Sequence, residues 1–123
     1  MTKILVIDDD MVVRETIIQI LEDKGYEVIS AEDGYRGLAA FRRDKPDLVI
    51  TDIIMPEKEG IQTIMEIRQE RADAKIIAIS GGGRIGNTDF LRIAQQLGAN
   101  DIIAKPFDPD DLIAHVEKCL AGG

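Results

Sequence analysis

Polar and apolar positions along this chain alternate between two rhythms. Ile4-Leu5-Val6-Ile7 is an unbroken apolar run, as expected of a strand buried on both faces, and it closes on Asp8-Asp9-Asp10. Val13, Ile17, Ile20 and Leu21 then recur at helical spacing, and Gly25 is placed to stop that helix at its C′ position. Glu27-Val28-Ile29-Ser30 predicts a short strand with fewer apolar residues, suited to a sheet edge. Asp33 is placed to cap a helix running to about Arg43 that carries Leu38, Ala39 and Phe41. After Pro46, the run Leu48-Val49-Ile50 leads to Asp52, with Pro56 as the next breaker.

The same alternation continues downstream. A helix is predicted from about Lys58 to Arg71 on Ile61, Ile64, Met65 and Ile67, followed by the strand Lys75–Ile79 ending in Ser80. Gly81-Gly82-Gly83 is the most flexible point of the sequence. A fourth helix is predicted within Asn87–Leu97, carrying Phe90, Ala94 and Leu97, with Gly98 as its stop. Asp101–Ala104 forms the fifth strand, followed by Lys105-Pro106-Phe107. Asp108 or Asp110 caps a last helix with Leu112, Ile113, Val116 and Leu120 inward. Five strands alternating with five helices predict an α/β fold: one doubly wound three-layer sandwich with a parallel sheet and right-handed crossovers. Strand orders 2-1-3-4-5 and Rossmann-type both fit the alternation, and five strands favour the first, flavodoxin-like order.

Composition narrows the function classes. The 123 residues make one domain, 1–123, with no output domain in it; aromatics are only 4%, so the core is aliphatic. A net charge of −8 argues against a nucleic-acid or anionic-membrane surface and favours divalent cations wherever carboxylates converge. The single Cys119 forms no internal disulfide and reads as a small hydrophobe on the last helix. With no signal peptide and no apolar stretch of membrane-spanning length, the expected location is cytoplasmic. His115 reads as a solvated residue of the last helix, and the methionines as core or turn residues.

Candidate chemistry lies at the strand ends. The first strand delivers Asp8 and Asp9, the third Asp52, the fourth Ser80 and the fifth Lys105. If the first, third, fourth and fifth strands are neighbours in the sheet, these residues share one crevice at its C-terminal edge. Carboxylates packed together repel unless a cation sits among them, and hard oxygen donors without His or Cys point to Mg²⁺. A lysine and a hydroxyl facing the same metal complete a site for a phosphoryl group. A helix cap needs only one acid, a role that suits Asp10, so Asp8 and Asp9 are surplus to capping.

With these residues in place, the chain resembles the receiver domain of two-component response regulators. The resemblance is carried by Ile4-Leu5-Val6-Ile7-Asp8-Asp9-Asp10, Asp47-Leu48-Val49-Ile50-Thr51-Asp52 with Met55-Pro56 and Gly60, Ile79-Ser80, and Gly98-Ala99 through Lys105-Pro106-Phe107. It implies a phosphorylation switch that is no enzyme beyond its own aspartyl phosphorylation and dephosphorylation. Asp52 would take the phosphoryl group from a sensor histidine kinase or a histidine phosphotransfer protein. Asp8, Asp9, Asp52 and the backbone carbonyl of Ile54 would hold Mg²⁺, Lys105 would pair with Asp52 and then with the phosphoryl group, and Ser80 would bond a phosphoryl oxygen. The Lys105-Pro106 peptide is expected to be cis. The signal would leave through the fourth helix, fifth strand and last helix, toward a downstream protein, a fused output domain or a phosphorylation-dependent homodimer.

The sequence departs from the family pattern in three places. Ile102 stands where an aromatic switch residue is usual, and its β-branch allows few rotamers. Gly81 and Gly82 open a loop whose ordering is expected to replace the aromatic flip. Ile54 offers no polar side chain to orient a hydrolytic water. Two other readings fit parts of the sequence. A pseudo-receiver would keep the fold as an unphosphorylated binding module. A haloacid-dehalogenase-type Mg²⁺ phosphohydrolase would use Asp8 and Asp10 but leave Asp52 unexplained.

Overall fold

Side-chain alternation along the buried strands decides which layer each residue enters. The computed structural model describes residues 1–53, 59–80, 96 and 98–122, with 59, 60 and 80 as backbone only. The strands are β1 (Lys3–Ile7), β2 (Glu27–Ala31), β3 (Leu48–Asp52), β4 (Ile76–Ser80) and β5 (Asp101–Ala104). The helices are α1 (Met11–Asp23), α2 (Gly34–Asp44), α3 (Glu59–Glu70) and α4, the C-terminal helix Pro109–Gly122. All strand pairs are parallel and the order is β2-β1-β3-β4-β5, so the flavodoxin-like order holds and β2 lies at an edge.

Successive residues of a strand point to opposite faces. Leu5, Ile7, Val49 and Ile76 therefore pack with Leu38 and Phe41 of α2 and Ile64 and Ile67 of α3. Ile4, Val6, Leu48 and Ile77 pack on the other face with Ile17 and Leu21 of α1 and Leu112 and Val116 of α4. Three layers result. The predicted helix within 87–97 and the Gly81–Gly83 run fall outside the described residues.

Local signals place the helix ends. Asp10 caps α1 by accepting from Val12 and Val13 backbone N–H groups, and Asp33 caps α2 through Arg36 N–H. Asp108, not Asp110, caps α4, its Oδ1 accepting from Asp111 N–H at 2.8 Å. Gly25, at φ +89°, ends α1 with two return bonds: its own N–H to Glu22 O and Tyr26 N–H to Leu21 O.

Three expectations about individual side chains are corrected. Met65 is exposed, because Thr63, Ile64 and Ile67 define the inward stripe of α3 and residue 65 falls on the opposite side at 3.6 residues per turn. On α2, Ala40 is buried and Ala39 exposed. His115 is not simply solvated: its Nδ1 lies 2.5 Å from Asp101 Oδ2, tying α4 to the start of β5. Met11 is also exposed, at the start of α1. Cys119 is half-buried against the α4 core, and burial pushes its thiol pKa up.

At the N-terminal end of the sheet Arg68 ties two loops together. Its guanidinium donates to the carbonyls of Ala72, Ala74 and Gly98 and to Asn100 Oδ1, which also accepts from Ile76 N–H at 2.8 Å. Close approach of α2 to β1 depends on Gly37, where a Cβ would lie 2.8 Å from Ile7 Cγ1. Gly37→Val is expected to destabilise the fold by about 2 kcal/mol through overpacking. Urea denaturation should show a lower midpoint at unchanged slope; an unchanged midpoint would contradict this packing.

Candidate functional site

Parallel register brings the strand ends level. Ile7 pairs with Ala31 and Thr51, Asp52 with Ile79, and Ser80 with Ala104. Asp8, Asp52, Ser80 and Lys105 thus arrive at one edge, although only the backbone of Ser80 is described and Ile54, Gly81 and Gly82 lie outside the described residues. Lys105 follows β5 directly, and its peptide to Pro106 is cis, as expected.

The side chains converge on Asp52. Lys105 Nζ donates to Asp52 Oδ2 at 2.9 Å and lies 3.6 Å from Asp8 Oδ2, an ion pair too long for a hydrogen bond. Asp8, Asp9 and Asp52 each offer an oxygen within 4.8 Å of the others'. Asp8 and Asp52 are buried whereas Asp9 is exposed, so the cluster opens on the side of Asp9. Asp8 Oδ1 accepts from Asp10 N–H at 2.8 Å, which fixes the carboxylate. Asp8 Oδ2 is buried without a hydrogen-bond partner among the described residues.

Burial pushes the Asp8 pKa up; the Asp10 N–H bond and Lys105 oppose that shift, and the charges of Asp52 and Asp9 add to it. Burial alone would lower the Lys105 pKa, but its bond to Asp52 and the charges of Asp52 and Asp8 outweigh burial, and the net shift is upward. One ammonium faces three carboxylates. A buried carboxylate oxygen that faces one ammonium but accepts no hydrogen bond among the described residues, beside two more carboxylates, is the donor set of a hard divalent cation, and it fits Mg²⁺.

Asp10 takes no part in the cluster. Its Oδ1 is used on Val12 and Val13 N–H, so the acid pair required by the phosphohydrolase reading is not assembled. One contributor escaped the sequence reading. Arg14 Nη1 donates to the Asp8 carbonyl at 2.7 Å and steadies the β1 tip from α1. Its position one turn beyond the Asp10 cap was the available signal. Ile102 is half-buried against the core on the α2–α3 side and pairs in register with Ala78.

A family model described as the response regulator receiver domain matches residues 4–117. The chain belongs to that family. This receiver is 39% identical over 119 residues to the chemotaxis protein CheY of Bacillus subtilis (strain 168), covering 96% of this chain and 97% of that one. It is 40% identical over 118 residues to the probable transcriptional regulator ycf27 of Porphyridium aerugineum, covering 96% of this chain but 48% of that protein, about half its length. Its fold superimposes on the crystal structure of a CheY-like receiver domain protein from Methanospirillum hungatei JF-1 with a TM-score of 0.87 at 30% identity, covering 99% and 95% of the two chains.

The raised Asp8 pKa gives a signed prediction. A carboxyl whose pKa is raised by folding favours the fold while protonated, and that contribution is lost as pH rises through its folded pKa. In EDTA at pH 7, Asp8→Asn should therefore stabilise the receiver, with the advantage shrinking as pH falls toward the ordinary carboxylate range. Mg²⁺ should raise the melting temperature of the wild type, by about 1.4 kcal/mol of stability at ten times Kd, and that of Asp8→Asn far less. Equal Mg²⁺ stabilisation of both proteins would remove Asp8 from the metal site.

Proposed function

We propose that this receiver is a phosphorylation switch in which Asp52 accepts a phosphoryl group from the phosphohistidine of a sensor histidine kinase or phosphotransfer protein. The observation that carries this reading is the 2.9 Å bond from Lys105 Nζ to Asp52 Oδ2, set beside two further carboxylates at one sheet edge. An Asp52 carboxylate oxygen attacks phosphorus, the phosphorus–nitrogen bond breaks, and its electron pair returns to the departing imidazole. Asp52 becomes an acyl phosphate.

Asp8, Asp9 and Asp52, with the Ile54 carbonyl by family resemblance, would hold Mg²⁺, whose charge offsets that on the transferring oxygens. Lys105 keeps Asp52 oriented before transfer and contacts the phosphoryl group afterwards. Ser80, at the end of β4, would supply the hydroxyl that draws the following loop toward the new oxygens. Gly81 and Gly82 would order in that step, replacing the aromatic flip that Ile102 cannot make, and the change would reach the face of the fourth helix, β5 and the C-terminal helix. The bias between two arrangements is what phosphorylation supplies.

A protein phosphodonor suits the surroundings. Val12, Val13, Thr16, Pro106 and Phe107 border Lys105 in a mainly apolar groove of about 360 Å³. The downstream recipient would be a partner protein, a fused output domain or a second copy of the chain.

Incubation with Mg²⁺ and acetyl phosphate is expected to label Asp52, and Asp52→Asn should abolish the label. Lys105→Ala should slow labelling by about a hundredfold, the scale of one lost electrostatic stabiliser, while leaving Mg²⁺ binding in place. Label retained in Asp52→Asn would refute the assignment, and a wild type that stays unlabelled would favour the pseudo-receiver reading.

A further inference from the structure

Arginines on α2 pair with carboxylates: Arg36 with Glu32 and Asp33, Arg42 with Glu70, and Arg43 with Asp44. Arg14 on α1 does not. It is half-buried, forms no ion pair among the described residues, and donates from Nη1 to the main-chain carbonyl of Asp8 at 2.7 Å. A carboxylate is the stronger acceptor for a guanidinium, and an acidic run lies one helical turn away, so the choice of a carbonyl calls for an explanation. The main-chain N–H of Arg14 donates to the Asp10 carbonyl at 2.9 Å. Arg14 thus holds the Asp8–Asp10 run at both ends.

Peptide planarity carries that bond beyond the atom it touches. The Asp8 carbonyl, the Asp9 N–H and both α-carbons share one plane, so holding the oxygen fixes the direction in which the chain enters Asp9. Asp8 has further support, since its N–H donates to the Ala31 carbonyl at 3.2 Å and its Oδ1 accepts from Asp10 N–H at 2.8 Å. Asp9 has none: it is exposed, and no donor reaches its carboxylate among the described residues. Its place within 4.8 Å of the Asp8 and Asp52 oxygens is therefore set through the main chain that Arg14 orients. A guanidinium bound to a carbonyl also takes up no carboxylate oxygen of the cluster. Bound to a carboxylate, it would compete with a cation.

We propose that Arg14 is a positioning residue for the metal pair, holding the Asp8–Asp9 peptide in the orientation that presents both carboxylates to one cation. The assignment rests on the Mg²⁺-assisted transfer to Asp52 proposed above. Two effects of Arg14 oppose each other. Its charge repels a cation, so Arg14 acting through charge alone would weaken Mg²⁺ binding. Its hold on the peptide aligns two ligands before the cation arrives, so Arg14 acting through position strengthens binding. Outer partners that orient metal ligands are typically worth about 10–100-fold in affinity. The sign of the change on removing Arg14 separates the two effects.

The test compares wild type, Arg14→Ala, Arg14→Lys and Arg36→Ala by amide NMR, first in EDTA and then in a Mg²⁺ titration followed at residues 8–10. Arg36 lines the same groove as Arg14, but its guanidinium pairs only with Glu32 and Asp33 among the described residues, so its loss removes an equal charge without touching Asp8. In EDTA, Arg14→Ala should speed hydrogen exchange at the Asp8 and Asp10 amides more than at Leu5 or Val49 in the core. It should bind Mg²⁺ about tenfold more weakly than wild type. Arg14→Lys, which keeps the charge and can replace a single donor, should recover most of that loss, and Arg36→Ala should bind as wild type does. The proposal is overturned by unchanged or tighter Mg²⁺ binding in Arg14→Ala, by a lysine variant no better than the alanine one, or by an equal loss in Arg36→Ala. Exchange that rises evenly across the core, the mark of a purely structural role, would also overturn it. A wild type without Mg²⁺ affinity would overturn the transfer reading and this assignment together, whereas wild-type binding matched by Arg14→Ala would overturn this assignment alone.

Discussion

Like-charge crowding at the C-terminal edge of the sheet is the constraint on which the rest of the site depends. β1 and β3 are neighbours, so Asp8 and Asp52 come together whatever else the chain does. Lys105 must reach them from β5, two strands from β3 across β4, a separation of about 10 Å at ordinary strand spacing. A lysine stem and a short stretch after the strand can span that distance, and the intervening strand tip carries a small residue, Ser80. The resulting ammonium is outnumbered by carboxylates. A deficit of positive charge in a half-closed pocket is useful because an incoming cation completes the site instead of disturbing a satisfied one.

Much of this was legible in the sequence, for physical reasons. Runs such as Ile4–Ile7 and Leu48–Ile50 must be buried on both faces, and a carboxylate at the end of such a run has only the strand tip to occupy. Five strands in alternation with helices leave few topologies, and the order that five strands favour puts Asp8, Asp52 and Lys105 at one edge, as the structure does. Surface helix positions were less legible. Met65 sits one residue from Ile64 yet faces solvent, because a helix turns through about 100° per residue. The Ala39 and Ala40 pair shows the same ambiguity, since two adjacent alanines carry no signal as to which is inward.

Side chains that bond to main chain were the least legible. Arg14 and Asn100 act on carbonyl and N–H groups that every residue possesses, and such partners leave no mark in a pattern of residue types. His115 was missed for a related reason. Its partner Asp101 is fourteen residues away and becomes adjacent only when α4 folds back along β5.

The two ends of the sheet handle charge in opposite ways. At the site, carboxylates depend on cations from elsewhere. At the other end, Arg68 is sated by carbonyls of Ala72, Ala74 and Gly98, together with Asn100 Oδ1. Three of those four acceptors belong to the peptide chain itself, so substitutions at 72 and 74 that preserve the backbone path leave the knot tied. Sequence drift is therefore cheap on that side of the molecule. The loops there can diversify among relatives, and acquire new surface chemistry, without loosening the frame that aligns Lys105 with Asp52.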